Sequence, residues 1–245
     1  MSQVLIVGAT SEVASHVAVR LAQQGHKIFC LGRSQKKMTT LAQKLGQSMI
    51  GHHCLDFRDH DAVFAAIHSA QESLQTIDMV LIAHGDLGNQ AATQEDYSLA
   101  FQTYETNLLS VIRFLLPLSA ALAGQGHGKI AVITSVAGDR GRPRNYTYGS
   151  AKGALSLYLQ GMRSRLWRSG VEIYDIKLGP VVSPMTKDHT RNFSFATADE
   201  ASLKIVRALA RKRYIVYVPG FWRYVLWVVK SLPEPLLQRI PFLLY

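Results

Sequence analysis

The chain is short of the features that mark several protein classes. Its 245 residues include only two cysteines, Cys30 and Cys54, too few for a disulfide-built secreted scaffold or a four-cysteine zinc site. No apolar run reaches the ~18 residues that a spanning helix needs. The start, Met-Ser-Gln-Val-Leu-Ile-Val-Gly, lacks the basic flank of a signal peptide. Charged residues are only 18% against 48% hydrophobic, which excludes a disordered chain. Repeats, low-complexity tracts and Pro/Gly/Ser-rich linkers are missing. The expectation is a cytoplasmic protein with one α/β domain over residues 1–218 and a short appendage over 219–245.

What is present is an uneven charge. The net charge is +10. Residues 1–125 hold 8 Lys and Arg against 10 Asp and Glu, whereas residues 126–245 hold 19 against 7. A basic second half suits an anionic substrate or an anionic membrane surface as well as a merely solvated exterior. Nucleic acid is not expected, because the basic residues are scattered rather than gathered on one reading element. His52, His53, His60, Cys54 and Asp56 lie close in sequence. Neighbours on a strand point to opposite faces, so no metal site is expected there.

Short apolar runs alternate with helical patterns. Strands are predicted at Val4–Val7, Lys27–Leu31, Met49–Leu55, Met79–Ala83, Ile130–Thr134, Glu172–Lys177 and Ile215–Val218. Helices are predicted after Ser11, from Ser34 to Leu45, and over Ala62–Leu74, Asp96–Leu116, Tyr148–Arg168 and Thr197–Arg211. The last carries a capping box, Thr197 with Glu200. This alternation predicts a Rossmann-type, doubly wound parallel sheet of about seven strands, which binds ligands beyond the strand C-termini.

The first strand runs into Gly8-Ala9-Thr10-Ser11-Glu12-Val13-Ala14. Glycine there permits close backbone approach, and the helix start offers free N–H groups to a pyrophosphate. The second strand ends in Gly32-Arg33-Ser34. A site for an unphosphorylated ribose usually places an acid at that point, whereas guanidinium suits a 2′-phosphate, so NADP(H) is expected over NAD(H). The most specific signal is Tyr148-Gly-Ser-Ala-Lys152 on a helix, with Ser135 thirteen residues earlier. The i, i+4 spacing puts the phenol and the ammonium on one face. An ammonium nearby should lower the phenol's pKa toward the working range.

With these residues in place, the chain resembles the short-chain dehydrogenase/reductase family over about residues 3–220. The matching pieces follow the family's order: the Gly8 loop, the Asp56 region, Asn107, the set Ser135, Tyr148 and Lys152, and Leu178-Gly-Pro-Val-Val-Ser183. The resemblance implies hydride transfer between a nicotinamide and a carbonyl or alcohol carbon. It implies that Tyr148 moves the proton, Lys152 binds the nicotinamide ribose, Ser135 orients the substrate oxygen and Asn107 holds a relay water. Gly8, Thr10, Ser11, Glu12, Val13 and Arg33 would bind the phosphates and ribose. Asp56 and Phe57 would flank the adenine, while Ala83, His84, Gly85, Val181 and Ser183 would line the rest of the cofactor. There are departures. Val7, Glu12 and Ala14 stand where the family has a threonine and two glycines, and Ile82-Ala83-His84-Gly85 replaces Asn-Asn-Ala-Gly. Family resemblance also suggests a homodimer or homotetramer built on the long helices.

Two features bear on the substrate. Arg140, Arg142 and Arg144 lie between Ser135 and Tyr148 and suit a phosphate or carboxylate. The appendage is rich in aromatic residues. A helix over Phe221–Leu232 would carry Phe221, Tyr224, Val225, Val228 and Leu232 on one side, with Arg223 and Lys230 on the other. It is too short to span but suits peripheral contact with a membrane. Packing on the substrate loop or an oligomer interface are the alternatives. The stretch Ala83-His84-Gly85, the arginine loop and this tail resemble decaprenylphosphoryl 2-keto-sugar reductases. Three readings stand: a reductase of a lipid-linked or phosphorylated carbonyl, a reductase of a soluble ketone whose tail serves assembly, and a non-catalytic NADPH-binding protein.

Overall fold

A computed structural model describes residues 1–182 and 195–240. Seven parallel strands form one sheet: β1 (Gln3–Val7), β2 (Lys27–Gly32), β3 (Met49–Cys54), β4 (Met79–Ile82), β5 (Gly128–Ser135), β6 (Val171–Leu178) and β7 (Ile215–Val218). Their spatial order is β3-β2-β1-β4-β5-β6-β7. Strand order reverses between β1 and β4, and the crevice at that switch point is where such a sheet takes its ligand.

The strands are apolar on both sides because helices cover both faces. Leu5, Val7, Val80, Ile82, Ile130 and Val132 meet α3 (His60–Leu74), α6 (Ser110–Gln125) and α7 (Tyr146–Leu166) on one face. Val4, Ile6, Ile28, Cys30, Ala131 and Ile176 meet α1 (Glu12–Gln23), α2 (Gln35–Leu45) and α8 (Ala198–Ala210) on the other. Each fully buried aliphatic side chain of these layers contributes about 1.5–3 kcal/mol. Side-chain caps set several helix starts. The Ser11 hydroxyl accepts from Ala14, the Asp59 carboxylate from Ala62, and the predicted Thr197–Glu200 capping box is formed.

Three differences from the sequence reading matter. The helix predicted to stop at Leu116 continues through Pro117 to Gln125. Burial of Leu118, Ser119 and Leu122 outweighs the one hydrogen bond that proline forfeits. Tyr97–Gln125 is therefore a continuous helical stretch long and apolar enough, by length and composition, to cross a membrane. Its Val111, Phe114, Leu115 and Leu118 belong to the core of this sheet. Within it, between α5 (Tyr97–Tyr104) and α6, Glu105–Leu109 forms a π-helical turn, and α4 (Gln90–Thr93) is a further short helix. In the appendage, α9 (Trp222–Ser231) and α10 (Glu234–Leu237) follow β7. The side of α9 that faces the protein carries Trp222, Val225, Leu226 and Val229, whereas Tyr224 and Val228 face outward.

Cys30 and Cys54 lie on neighbouring strands, and both are free thiols. Burial pushes the Cys30 thiol up to about 12 and also raises Cys54, so both are poor nucleophiles.

Candidate active site

The switch-point loops bring the sequence-predicted residues together. Gly8 follows β1 at φ +78°, and a Cβ there would sit 2.7 Å from the His84 backbone nitrogen. Only glycine allows both the conformation and the approach. The Gly8 and Ala9 N–H groups donate to the Leu31 carbonyl, which locks the β1 turn against β2. Thr10 and Ser11 are half-buried at the start of α1, and Val13 is buried beneath them. Glu12 is exposed, so the carboxylate that departs from the family pattern lies in solvent.

A cavity of about 310 Å³ opens beside this turn, lined by Arg33, Asp56, Phe57, Arg58, His84 and Ser110 among others. That volume is within the range of small-molecule sites, about 300–1,000 Å³. Phe57 forms an apolar wall, with its ring 4.7 Å from that of His84 and 5.3 Å from that of Phe114. Asp56 is held by Arg58, whose guanidinium donates to both carboxylate oxygens, Nε to Oδ1 and Nη2 to Oδ2. Those bonds, with a weaker pull from Arg33, bring Asp56 down to about 2. Arg33 itself is exposed at the rim. Arg58 is a site residue that the sequence reading did not single out; its place in the cavity lining follows from the fold.

His84 is buried, with Nε2 2.9 Å from the Ser110 hydroxyl. Ser110 spends its own proton on the Thr106 carbonyl, so His84 is the donor in the pair. Its Nδ1 is then a bare lone pair, and it has no partner. Burial first, then the charges of Lys152 and Arg33, hold His84 down to about 3, as a neutral ring.

Beyond β5 the four chemical residues converge. Ser135 ends the strand, accepts from the Ala137 N–H at 3.1 Å and donates to the Leu178 carbonyl at 3.3 Å. The 3₁₀ turn Val136–Asp139 is pressed onto α7. A Cβ on Gly138 would meet the Gly153 nitrogen at 2.6 Å, and one on Gly149 would meet the Ala137 oxygen at 2.8 Å. These three glycines set the close approach of Ser135 to the face of α7 that carries Tyr148 and Lys152. The Lys152 ammonium is buried, donates to the Ile133 carbonyl at 3.3 Å and lies 5.9 Å from the centre of the Tyr148 ring.

Asn107 sits in the π-helical turn and is fully buried. Its amide donates to the carbonyls of Asp86 and Thr103, and its Oδ1 accepts from the Asp86 N–H at 3.1 Å. Gly85 lies between Asn107 and Lys152. A Cβ there would be 2.8 Å from Asn107 Oδ1 and 3.1 Å from Lys152 Nζ. Ala83 joins the β4 end to β1 through its N–H on the Val7 carbonyl. Val181 is buried after β6 and bridges to Ala196. Ser183 lies outside the described residues.

One expectation is overturned. Tyr148 is not lowered; it is pushed up to about 12. Burial dominates, a hydrogen bond with Ser135 offsets part of it, and the Asp86 carboxylate adds to the rise. Lys152 in turn is brought down to about 8 by burial, against a partial pull upward from Asp175. The pair therefore holds a protonated phenol, a proton donor, beside an amine that titrates near neutrality.

Asp175 and Lys177 on β6 belong to a buried charge network that was also missed. Lys177 bonds Asp139, the Tyr217 hydroxyl donates to Asp139 at 2.6 Å, and Thr134 donates to Asp175. The network ties the turn after Ser135 to β6 and β7. Arg140 is likewise engaged, donating to Glu234 and to the Leu232 carbonyl. Arg142 and Arg144 have no carboxylate partner among the described residues, and burial together with Arg144 lowers Arg142.

Comparisons with known proteins follow the same lines. The family model described as short chain dehydrogenase matches residues 2–193. An uncharacterized oxidoreductase of Streptomyces coelicolor is 29% identical over 244 residues, covering 96% of this chain and 94% of that one. An uncharacterized oxidoreductase of Mycobacterium tuberculosis is 29% identical over 243 residues, with 97% and 96% covered. The crystal structure of a short chain dehydrogenase from Burkholderia cenocepacia in complex with NADP superposes with a TM-score of 0.83 at 17% identity, covering 97% of this chain and 96% of that one.

Proposed function

The chain belongs to the short-chain dehydrogenase/reductase family, and from that premise we propose that it is an NADPH-dependent reductase of a phosphorylated or lipid-linked keto-sugar. The observation that carries the proposal is the convergence of Ser135, Tyr148, Lys152 and Asn107 beyond β4 and β5, next to a cavity whose rim holds Arg33 and Arg58.

The residues fit a dinucleotide. Gly8, at φ +78° and packed on the His84 backbone, puts no side chain into the turn that leads to α1. Thr10, Ser11 and the start of α1 would hold the pyrophosphate. Phe57 and Ala83 would flank the adenine, and Asp56, Arg58 and Arg33 would surround its ribose. Arg33 at the end of β2 is the argument for a 2′-phosphate, and the NADP in the Burkholderia structure supports the same choice. Gly85, Val181 and Ser183 would line the nicotinamide side. When bound, the nicotinamide supplies the hydride.

The chain's own groups manage the proton. Ser135 would hold the carbonyl oxygen beside Tyr148. The Tyr148 phenol, protonated throughout the neutral range, donates to that oxygen as negative charge develops on it. Lys152 would bind the ribose hydroxyls, and its ammonium stabilises the phenolate left behind. The free lone pair on Asn107 Oδ1 is the place for a relay water that returns the proton. Arg142 and Arg144, which precede α7 and have no carboxylate partner among the described residues, would receive an anionic group on the substrate. Exposed Leu116 on α6 and Leu157 on α7 support assembly of the protein into a dimer or tetramer through its long helices.

The test is a fluorescence titration with NADPH and with NADH, followed by NADPH oxidation against a panel of phosphorylated and neutral ketones. The proposal expects NADPH preference, turnover of a phosphorylated ketone, and loss of turnover in Tyr148→Phe with binding retained. Failure to bind either nucleotide would overturn it.

A further inference from the structure

We infer that the outer face of α9 docks on an anionic lipid bilayer and so holds the catalytic turn after Ser135 close to the membrane. The argument begins with a helix that is apolar on two sides. Its inner side packs Leu226 and Val229 with Leu237 and Val136 into a small core of its own. Its outer side holds Tyr224 and Trp227, each 72% exposed, and Val228 at 51%. The spacings of three and four residues stack these on one stripe. Leu236, on α10, is also 51% exposed. A surface helix ordinarily carries polar residues on its outward side, whereas this outward stripe is apolar and has no cover among the described residues.

The charges identify the occupant. Arg223 and Lys230 are seven residues apart, so both are exposed along one margin of the aromatic stripe, and Arg239 follows two residues after α10. The only carboxylate in residues 219–240, Glu234, is taken by Arg140. An aromatic stripe with a cationic margin and no free acid matches an interface of anionic headgroups over acyl chains. Trp and Tyr suit that level because one end of each ring is apolar and the other polar. A second copy of the chain is a poorer match. Two-fold pairing on this stripe would bring like charges together with no acid to meet them. The helix has ten residues, about 15 Å against the ~30 Å of a hydrocarbon core, so it lies along the surface.

The stripe is joined directly to the catalytic turn. Val136 adjoins Ser135 in the chain and packs on Leu226 and Val229, while Arg140 grips the Leu232 carbonyl and Glu234. Docking through α9 would hold the Ser135 turn one helix diameter, ~10 Å, from the lipid surface, close to where a membrane-partitioned substrate arrives. The substrate class rests on the reductase reading; the docking does not.

The experiment is co-sedimentation of the full chain with phosphatidylcholine vesicles, with and without phosphatidylglycerol, at low and high salt. It compares the parent with Tyr224→Ser/Trp227→Ser and with Arg223→Gln/Lys230→Gln. The parent should pellet with the anionic vesicles, and added salt should weaken it. Each neutralised cation should lower partition by about fivefold, and the aromatic pair should lower it at least tenfold. All variants should bind NADPH as the parent does, which shows that they fold. No pelleting with anionic vesicles at low salt would overturn the inference. So would pelleting that the aromatic pair leaves unchanged, or a dimer in light scattering that the same pair dissolves while vesicles go unbound. A parent that binds vesicles but neither nucleotide would instead sink the reductase reading alone.

Discussion

His84 should make this fold acid-labile in a way that one substitution cancels. The ring is 7% exposed, lies 4.7 Å from Phe57 and 5.9 Å from Phe114, and uses Nε2 on Ser110. Protonation must occur at Nδ1, in an apolar pocket already facing the Lys152 charge. Burial, then Lys152 and Arg33, hold the folded pKa near 3, against 6.5 for a free histidine. A depressed folded value means that between these two pH values the unfolded chain binds one proton more than the folded one. Stability is therefore present above about pH 6.5 and drains away as pH falls toward 3. From 6.5 to 4 the loss is about 2.5 pH units at ~1.4 kcal/mol each, on the order of 3 kcal/mol. That is a large part of the usual 5–15 kcal/mol. His84→Phe keeps a ring between the two phenylalanines and leaves Ser110 its bond to Thr106, so at pH 7 it should lose only about 1 kcal/mol. At pH 4 the order should reverse, with the variant ahead by about 2 kcal/mol. Urea unfolding of both proteins from pH 7 to pH 4 reads this directly. Asp56, Glu172 and Glu200, whose carboxyls are also held low, lose stability in acid equally in both proteins, so the difference isolates His84. Parallel stability curves for the two proteins would refute the reasoning.

Arg33→Ala should weaken NADPH by roughly 10- to 100-fold, the worth of a charge-assisted contact of ~1.5–3 kcal/mol, and leave NADH within about twofold; tryptophan fluorescence titration measures both. Gly85→Ala would drive a methyl to 2.8 Å from Asn107 Oδ1 and 3.1 Å from Lys152 Nζ. It should cost about 1–3 kcal/mol by displacing the Asn107–Asp86 bond, seen as a lowered urea midpoint together with weaker NADPH binding. Because burial lowers Lys152 to about 8, its ammonium is lost as pH rises past that value. The NADPH oxidation rate should then fall on the alkaline side, and Lys152→Arg should abolish that limb while lowering the rate. Leu157, 69% exposed on α7, should matter to assembly alone: Leu157→Glu should shift the mass in light scattering to the monomer with NADPH binding unchanged.

The legible parts of this molecule are those whose signal is local. Strand and helix alternation follows from period, and Tyr148, Lys152 and Ser135 stand at separations that a strand, a turn and a helix convert directly into proximity. What was illegible depends on residues far apart in the chain. The rise of the Tyr148 pKa comes from burial and from Asp86, 62 positions earlier, and no reading of the i, i+4 pair contains either. Asn107 in the π-helical turn is tied to the carbonyls of Asp86, 21 positions earlier, and Thr103. The close seating of Ser135 on α7 comes from Gly138, Gly149 and Gly153 meeting backbone to backbone, and glycine in a helix otherwise reads only as a weakness.

The appendage fails for a different reason, and that failure is informative. Phe221, Tyr224 and Val228 make a stripe at intervals of three and four residues. So do Trp222, Leu226 and Val229, at intervals of four and three. Periodicity can say which residues share a face but not which of two apolar faces turns inward. The fold chose the second, because Leu226 and Val229 fit against Val136 and Leu237. An ordinary surface helix would have made the rejected face polar, as α2 does with Lys36, Lys37, Thr40 and Lys44 outside and Met38, Leu41 and Leu45 inside. Retaining Tyr224, Trp227 and Val228 in water contributes nothing to the folded monomer. The second stripe therefore calls for a second apolar phase, and the cations at its margin call for that phase to be negatively charged.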